Sequence, residues 1–207
     1  MKPLPLVLAS ASPRRRALLL SLGLRFTVAA ASVDERAEAG ESARDHVTRL
    51  AASKAEAALA LIATGRSALL LAADTTVAVD GAILGKPADE KDALEMLRRL
   101  AGRSHEVWTA CRLRRSDDGN AAEAAVRSTV RFRAWDEALA RWYVSTGEPM
   151  DKAGAYALQG KGVLLTDGIE GSWSNVVGLP LEVLPALFEE VGDDFARRLV
   201  EPPGPGC

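Results

Sequence analysis

Cysteine and histidine are scarce in this chain: its 207 residues include two of each, Cys111 with Cys207 and His46 with His105. Two cysteines this far apart make neither a disulfide framework nor a Cys-based metal site, and they suit a reducing cytoplasm. His105 has no nearby His, Cys or Asp at ligand spacing, so it reads as a hydrogen-bonding residue at a strand start. An excess of one charge is also missing. The 26 Lys and Arg nearly balance 28 Asp and Glu, for a net charge of −2, which gives no broad attraction to nucleic acid or anionic lipid. An anion-binding site in such a chain must gather its cations locally. No stretch approaches the ~18 continuous apolar residues of a membrane span. The opening has the short apolar run of a signal peptide, but Pro3, Pro5 and the cluster Arg14-Arg15-Arg16 argue against one.

Two catalytic motifs are absent as well. There is no Gly-x-Ser-x-Gly elbow for a serine hydrolase. Gly81-Ala-Ile-Leu-Gly85-Lys86-Pro87 imitates a P-loop, with three residues between its glycines in place of four and Pro87 where a hydroxyl should hold Mg²⁺. Lys86, held in a Gly-Lys-Pro turn, remains available to a phosphate.

What is present is an alternation of helix and strand periods with added hairpins, which predicts a mixed α/β protein. Leu4–Ala9 reads as a strand, Ala17–Leu22 as helix-like up to Gly23, and Arg25–Ala30 as extended, a βαβ-type opening. A helix over about 42–64 carries Val47, Leu50, Ala51, Ala55, Ala58, Leu61 and Ile62 on one stripe and stops at Gly65. Ala68–Ala73 is a strand covered on both faces, and Asp80-Gly81 folds the following run into a hairpin. A helix over 89–100 closes at Gly102, and strands over 106–114 and 125–133 pair through Ser116–Asn120. Asp136 caps a helix to Ser145, a glycine-rich stretch runs to Gly178, and Pro180 opens the last helix. The expected organisation is one domain over 1–200 with a disordered Pro/Gly-rich tail over 201–207.

Several polar residues stand out against this pattern. Ser12 and Pro13 suit the N-cap and first position of a helix, which puts Arg14 to Arg16 in its positive first turn. Either they spread into water, or a phosphate sits there among backbone N–H groups, the Ser10 and Ser12 hydroxyls and guanidinium forks. Arg14 and Arg15 diverge by about 100°, so one or two of the three can face one ligand. Lys54 points along the apolar stripe of its helix and needs an anionic partner or must snorkel outward. Asp74 ends a buried run, where open α/β sheets place ligand sites; the readings are a general base or metal ligand, and a turn aspartate capping local N–H groups. Glu35, beside Asp34 in an acidic loop, is a second carboxylate for a hard cation or simply a solvated acid.

Taken in order, Ser10-Ala-Ser-Pro-Arg-Arg15, Leu50-Ala-Ala-Ser-Lys54-Ala, Ala73-Asp-Thr-Thr-Val77, Gly85-Lys-Pro87, Gly102-Arg-Ser-His-Glu-Val107, Asp151-Lys-Ala-Gly-Ala-Tyr-Ala-Leu-Gln-Gly160 and Asn175-Val-Val-Gly-Leu-Pro180 resemble the Maf family. The resemblance spans about Leu6 to Leu184. It implies an inosine triphosphatase-like fold, with a long mixed sheet, flanking helices and two lobes around a deep groove. It also implies a nucleoside triphosphate pyrophosphatase, with Asp74 as proton acceptor and Ser10, Arg14, Arg15, Glu35, Lys54 and Lys86 as triphosphate and metal residues. Glu35 and Asp74 are then the protein ligands of Mg²⁺ or Mn²⁺. Arg14 directly after Pro13, Thr75 and Gln159 resemble the branch acting on dTTP, UTP and related pyrimidine nucleotides; the inserted Trp usual in the 7-methyl-GTP branch is absent. A glutamine amide both donates to and accepts from the O4/N3–H edge of uracil or thymine. A homodimer is expected from the same resemblance, and a nucleotide-binding regulator of cell division is the competing reading.

Overall fold

The computed structural model describes residues 3–62 and 66–199. In chain order the elements are β1 (Leu6–Leu8), α1 (Pro13–Ser21), β2 (Thr27–Val28), α2 (Ala43–Leu59), β3 (Leu69–Val79), β4 (Ala82–Leu84), α3 (Glu90–Leu100), β5 (Ser104–Arg115), β6 (Ala121–Phe132), α4 (Glu137–Ser145), β7 (Thr166–Glu170), α5 (Trp173–Val177) and α6 (Leu184–Glu190). The seven strands form one mixed sheet in the order β2-β1-β3-β5-β6-β7, with β4 also against β3. This is the expected α/β class. No helix among the described residues is long and apolar enough to cross a membrane.

Strand β3 organises everything else. Along one edge β5 pairs with it antiparallel from Leu69 to Ala78. The other edge is shared. Parallel β1 covers Leu69 to Leu71, and antiparallel β4 covers Val77 to Val79 after a hairpin in which Asp80 and Gly81 both have positive φ (51° and 74°). Two successive left-handed residues are what a two-residue hairpin of the right twist needs, and Asp-Gly supplies them. Between β1 and β4, residues 72–76 have no strand on that side. The gap opens where the neighbour of β3 changes from parallel to antiparallel, the kind of switch point at which α/β sheets hold ligands.

Because side chains alternate along a strand, Leu69, Leu71, Ala73, Thr75, Val77 and Val79 share one face of β3, and Leu70, Ala72, Asp74 and Thr76 the other. On the first face lie two apolar clusters. One joins Leu71 and Ala73 to Leu18 and Leu19 of α1 and Leu187 and Phe188 of α6. Its neighbour joins Val77 and Val79 to Leu97 of α3, Tyr143 of α4 and Phe132 of β6. They make the two lobes that flank the gap. Helix α2 covers the other face with Ala55 and Ala58 against Leu70 and Ala72, and with Val47 and Ala51 against Ala110. Alanines at the contact let this helix lie close to the sheet, so a long side chain from it reaches the gap.

Four expectations change. Helix α2 ends at Leu59, because tight i→i+3 bonds from Leu61 N–H to Ala58 and Ile62 N–H to Leu59 turn the chain away. Leu61 is consequently exposed, and Gly65 lies outside the described residues, as does the tail 201–207. The second strand shrinks to Thr27–Val28. Pro180 opens a 3₁₀ turn over Leu181–Val183, and α6 proper starts at Leu184. The glycine-rich stretch contains β7 and α5, hidden in sequence because Thr-Asp-Gly-Ile-Glu is an edge strand with little apolar alternation.

Candidate active site

Ser12 caps α1, accepting from Arg15 N–H, with Pro13 at the first helical position. This start aims Arg14 and Arg15 into the gap and leaves Arg16 exposed, so two of the three face one space. Arg15 is 9% exposed. Each of its three nitrogens is engaged: Nε donates to the Gly178 carbonyl at 2.8 Å, one terminal nitrogen to Ser10 Oγ at 3.1 Å and the other to Thr75 Oγ1 at 3.1 Å, so two of its five N–H groups remain. Burial lowers its pKa, and the charge of Asp74 opposes that. Arg14 is also lowered by burial, with Asp151 4.0 Å away working against the shift.

Lys54 resolves toward the anionic partner. From α2 its side chain, 12% exposed, donates at 2.6 Å to Asp74 Oδ1 and at 2.6 Å to Glu35 Oε1. Lys86, just past β4, donates to the other Glu35 oxygen at 2.7 Å. Burial pushes the Glu35 carboxyl up, but its hydrogen bonds from Lys54 and Lys86 outweigh this and bring it to about 2. Asp74 points from the stretch of β3 that is paired on the β5 edge alone, and among the described residues it caps no turn. Among the described residues its second oxygen, Oδ2, has no protein hydrogen bond.

Consecutive residues Asp74 and Thr75 leave β3 on opposite faces, and the gap makes both reachable from one side. Thr75 Oγ1 meets Thr109 Oγ1 at 2.9 Å, and Thr109 donates to the Asn175 carbonyl at 2.9 Å. The Asn175 amide donates to Val107 O and Ser128 Oγ. A polar belt thus crosses the sheet between the two lobes and ends on Arg15. Nothing in the local sequence of Asn175 announced this, since its partners lie 47 to 68 positions away.

Ser10, Arg14, Arg15, Glu35, Lys54, Asp74, Thr75, Lys86 and Gln159 all line one cavity of about 430 Å³. Asp151 and Lys152 join them without having been singled out, although both sit in the Asp-Lys-Ala-Gly-Ala-Tyr block. Five cations therefore face three carboxylates in a chain that is negative overall. This is local concentration of positive charge of the kind a polyanion requires. His105 lies outside the cavity, buried with Nε2 2.7 Å from Tyr156 Oη, as a structural residue.

The same residues can be tested for a divalent metal. No group of three or more His, Cys, Asp or Glu clusters among the described residues, so there is no all-protein cage. Glu35 and Asp74 do converge on a single cation, the Lys54 ammonium. Two carboxylates completed by phosphate oxygens and water are a sufficient donor set for Mg²⁺ or Mn²⁺, so the residues present fit a hard cation that arrives with a phosphorylated ligand.

Comparison with known proteins agrees with the sequence blocks. A family model described as Maf-like protein matches residues 5–191. A dTTP/UTP pyrophosphatase of Myxococcus xanthus is 52% identical over 188 residues, covering 90% of this chain and 92% of the relative. One from Anaeromyxobacter dehalogenans is 49% identical, covering 90% and 94%, and one from Burkholderia orbicola is 52% identical, covering 88% and 91%. Among solved structures, a nucleoside-triphosphatase / dITP/XTP pyrophosphatase from Mycobacterium abscessus aligns with 62% of this chain and 74% of its own at 18% identity and a TM-score of 0.39, too loose a likeness to build on. Matched by a family model along nearly its whole length and half identical to proteins of the same size, this chain belongs to the Maf family.

Proposed function

We propose that the chain is a nucleoside triphosphate pyrophosphatase that hydrolyses dTTP, UTP and related pyrimidine triphosphates to the monophosphate and pyrophosphate. The observation that carries the reading is Asp74, a buried carboxylate with one oxygen free of hydrogen bonds among the described residues, in the lining of a cavity shared with Arg14, Arg15, Lys54, Lys86 and Lys152. A protein that only held a triphosphate would gain from a carboxylate there solely as a ligand of its metal, because the bare charge repels the phosphates. A pyrophosphatase needs a base to take the proton of the attacking water.

In this reading the triphosphate lies along the cations, with the first turn of α1 and Ser10 at its phosphates. Lys54 fixes Asp74 through Oδ1 and leaves Oδ2 to accept the proton of a water attacking the α-phosphorus. The α–β phosphoanhydride bond breaks, and the arginine and lysine charges stabilise the negative charge gathering on the departing pyrophosphate. Glu35 and Asp74 would hold Mg²⁺ or Mn²⁺ together with phosphate oxygens, and the bound ion would add further neutralisation of that charge. At the other end Gln159 meets the O4/N3–H edge of the base, and the names of the relatives support a pyrimidine there.

The test is pyrophosphate release from dTTP, UTP, CTP, ATP, GTP and 7-methyl-GTP with Mg²⁺ or Mn²⁺, by the native chain and by Asp74→Asn. Pyrimidine-selective release that Asp74→Asn abolishes and a chelator suppresses is the expected result. Folded protein that binds dTTP yet releases nothing from any substrate would overturn it in favour of a binding regulator.

A further inference from the structure

Gln159 is exposed, and among the described residues its side chain has no hydrogen-bond partner, so its position is set by the backbone that carries it. That backbone is held from both sides. On the near side Ala157 N–H donates to Tyr143 Oη at 3.2 Å, and Tyr143 donates to Glu148 Oε1 at 3.1 Å. On the far side Gly162 N–H donates to the same Oε1 at 3.1 Å and Lys161 N–H to Oε2 at 3.0 Å. Leu158, Gln159 and Gly160 are suspended between anchors that meet on one carboxylate.

The packing around that carboxylate is tight. Gly160 has φ 141°, and a Cβ there would lie 2.7 to 2.9 Å from the Glu148 carboxyl group. Gly162 leaves no room either, since its Cβ would run into the Ala157 carbonyl and lie 2.8 Å from Tyr143 Oη. Burial raises the Tyr143 pKa, so its hydroxyl keeps the proton it donates. Glu148 itself is absent from the cavity lining, so it acts on a ligand only through the segment.

We propose that Glu148 is the positioning residue of the base reader: its carboxylate, with Tyr143, sets the backbone of Ala157 to Gly162 and thereby the selectivity that Gln159 exerts. The inference rests on the reading of Gln159 given above. A carboxylate suits the task because it is acceptor-only, and three donors converge on it. An amide in its place keeps the shape but turns one acceptor into a donor facing an N–H group.

The experiment compares kcat and KM for dTTP and GTP in the native chain, Glu148→Gln, Gln159→Ala and the double variant, alongside hydrogen exchange at the Lys161 and Gly162 amides. Glu148→Gln should speed exchange at both amides and raise KM for dTTP about tenfold, with kcat within about twofold and GTP values nearly unchanged. Selectivity in the double variant should equal that of Gln159→Ala alone, since both act through one side chain. Equal losses for dTTP and GTP, or additive losses in the double variant, would mark Glu148 as structural only and overturn the proposal. Should Glu148→Gln fail to fold, Tyr143→Phe, which cuts only the near-side anchor, gives the same comparison. If Gln159→Ala itself leaves the dTTP/GTP ratio unchanged, the base-reader reading fails and this inference with it. A responsive Gln159→Ala beside an indifferent Glu148→Gln overturns this inference alone.

Discussion

Lys54 Nζ reaches Asp74 Oδ1 at 2.6 Å from α2, the helix that covers the sheet face Asp74 leaves from, and the two side chains are 12% and 9% exposed. The pair exists because α2 is alanine-rich where it crosses β3, and because β3 lacks a neighbour at Asp74 on the edge away from β5. The contact fixes one oxygen of the carboxylate and so sets the direction in which the other faces the cavity.

Replacing Asp74 with asparagine keeps the volume and removes the proton acceptor. Pyrophosphate release at saturating dTTP should fall about a hundred- to ten-thousandfold, while the thermal midpoint moves little, because an amide oxygen still accepts from Lys54. Steady-state kinetics and a melting curve on the same preparation check both halves.

Lys54→Met separates charge from bulk. It leaves Asp74 buried beside Glu35 without the cation they share, a loss of about 3 kcal/mol at neutral pH. The acid limb also moves. The folded Glu35 pKa, about 2, lies below its ordinary 4.5, so the stability it contributes is full above 4.5 and lost as pH falls toward 2. Without Lys54 its value rises toward 4.5, and acid unfolding of Lys54→Met should begin at a higher pH than in the native chain.

Arg15→Lys retains the charge and loses the fork. One ammonium cannot serve Gly178 O, Ser10 and Thr75 from three directions, so two of the three acceptors each lose one of their hydrogen bonds. kcat/KM for dTTP should drop about tenfold to a hundredfold, with about 2 kcal/mol of stability. Arg16→Ala, on the exposed side of the same turn, should change neither by more than about twofold. Equal effects at the two positions would contradict this geometry.

His105 gives a pH dependence of a different kind. Burial lowers its pKa from 6.5 to about 4, so between those values the unfolded chain binds a proton that the folded chain refuses. Its contribution is therefore full above 6.5 and lost as pH falls toward 4, on the order of 3 kcal/mol in all. His105→Phe removes the titration; denaturant unfolding at pH 7 and pH 4.5 should show a smaller drop for the variant than for the native chain.

Much of this was readable in the sequence for local reasons. Ser12-Pro13, Asp89 and Asp136 mark helix starts by capping chemistry, and Asp80-Gly81 marks a hairpin because few residue pairs tolerate its dihedrals. Lys54 was visible as a charge on an apolar stripe, a local conflict that either an anionic partner or snorkelling outward resolves. What stayed hidden is tertiary. The gap in β3 follows from which strands flank it, and no residue of 72–76 encodes its missing neighbour. Glu148 reads as an ordinary surface acid until the chain returns at Lys161 to place two amides on it.

The polar belt leads to a further prediction at Asn175. It is fully buried, its amide nitrogen donates to Val107 O and Ser128 Oγ, and its own Oδ1 has no partner. Its backbone carbonyl holds Thr109, which holds Thr75, which meets Arg15. Asn175→Ala strips two donors and leaves a buried carbonyl and hydroxyl with fewer partners, so stability should fall by about 2 kcal/mol. Asn175→Asp should be worse despite its matching shape, since it sets a carboxylate against the Val107 carbonyl with no cation among its hydrogen-bond partners. In either variant α5 loosens, and with it the Gly178 carbonyl that fixes Arg15. The loss in kcat/KM for dTTP should therefore exceed that of a variant equally destabilised at a remote core position such as Leu97→Ala in α3. Matching activities at matched stability would mean that the belt only holds the two lobes together and does not reach the phosphate site.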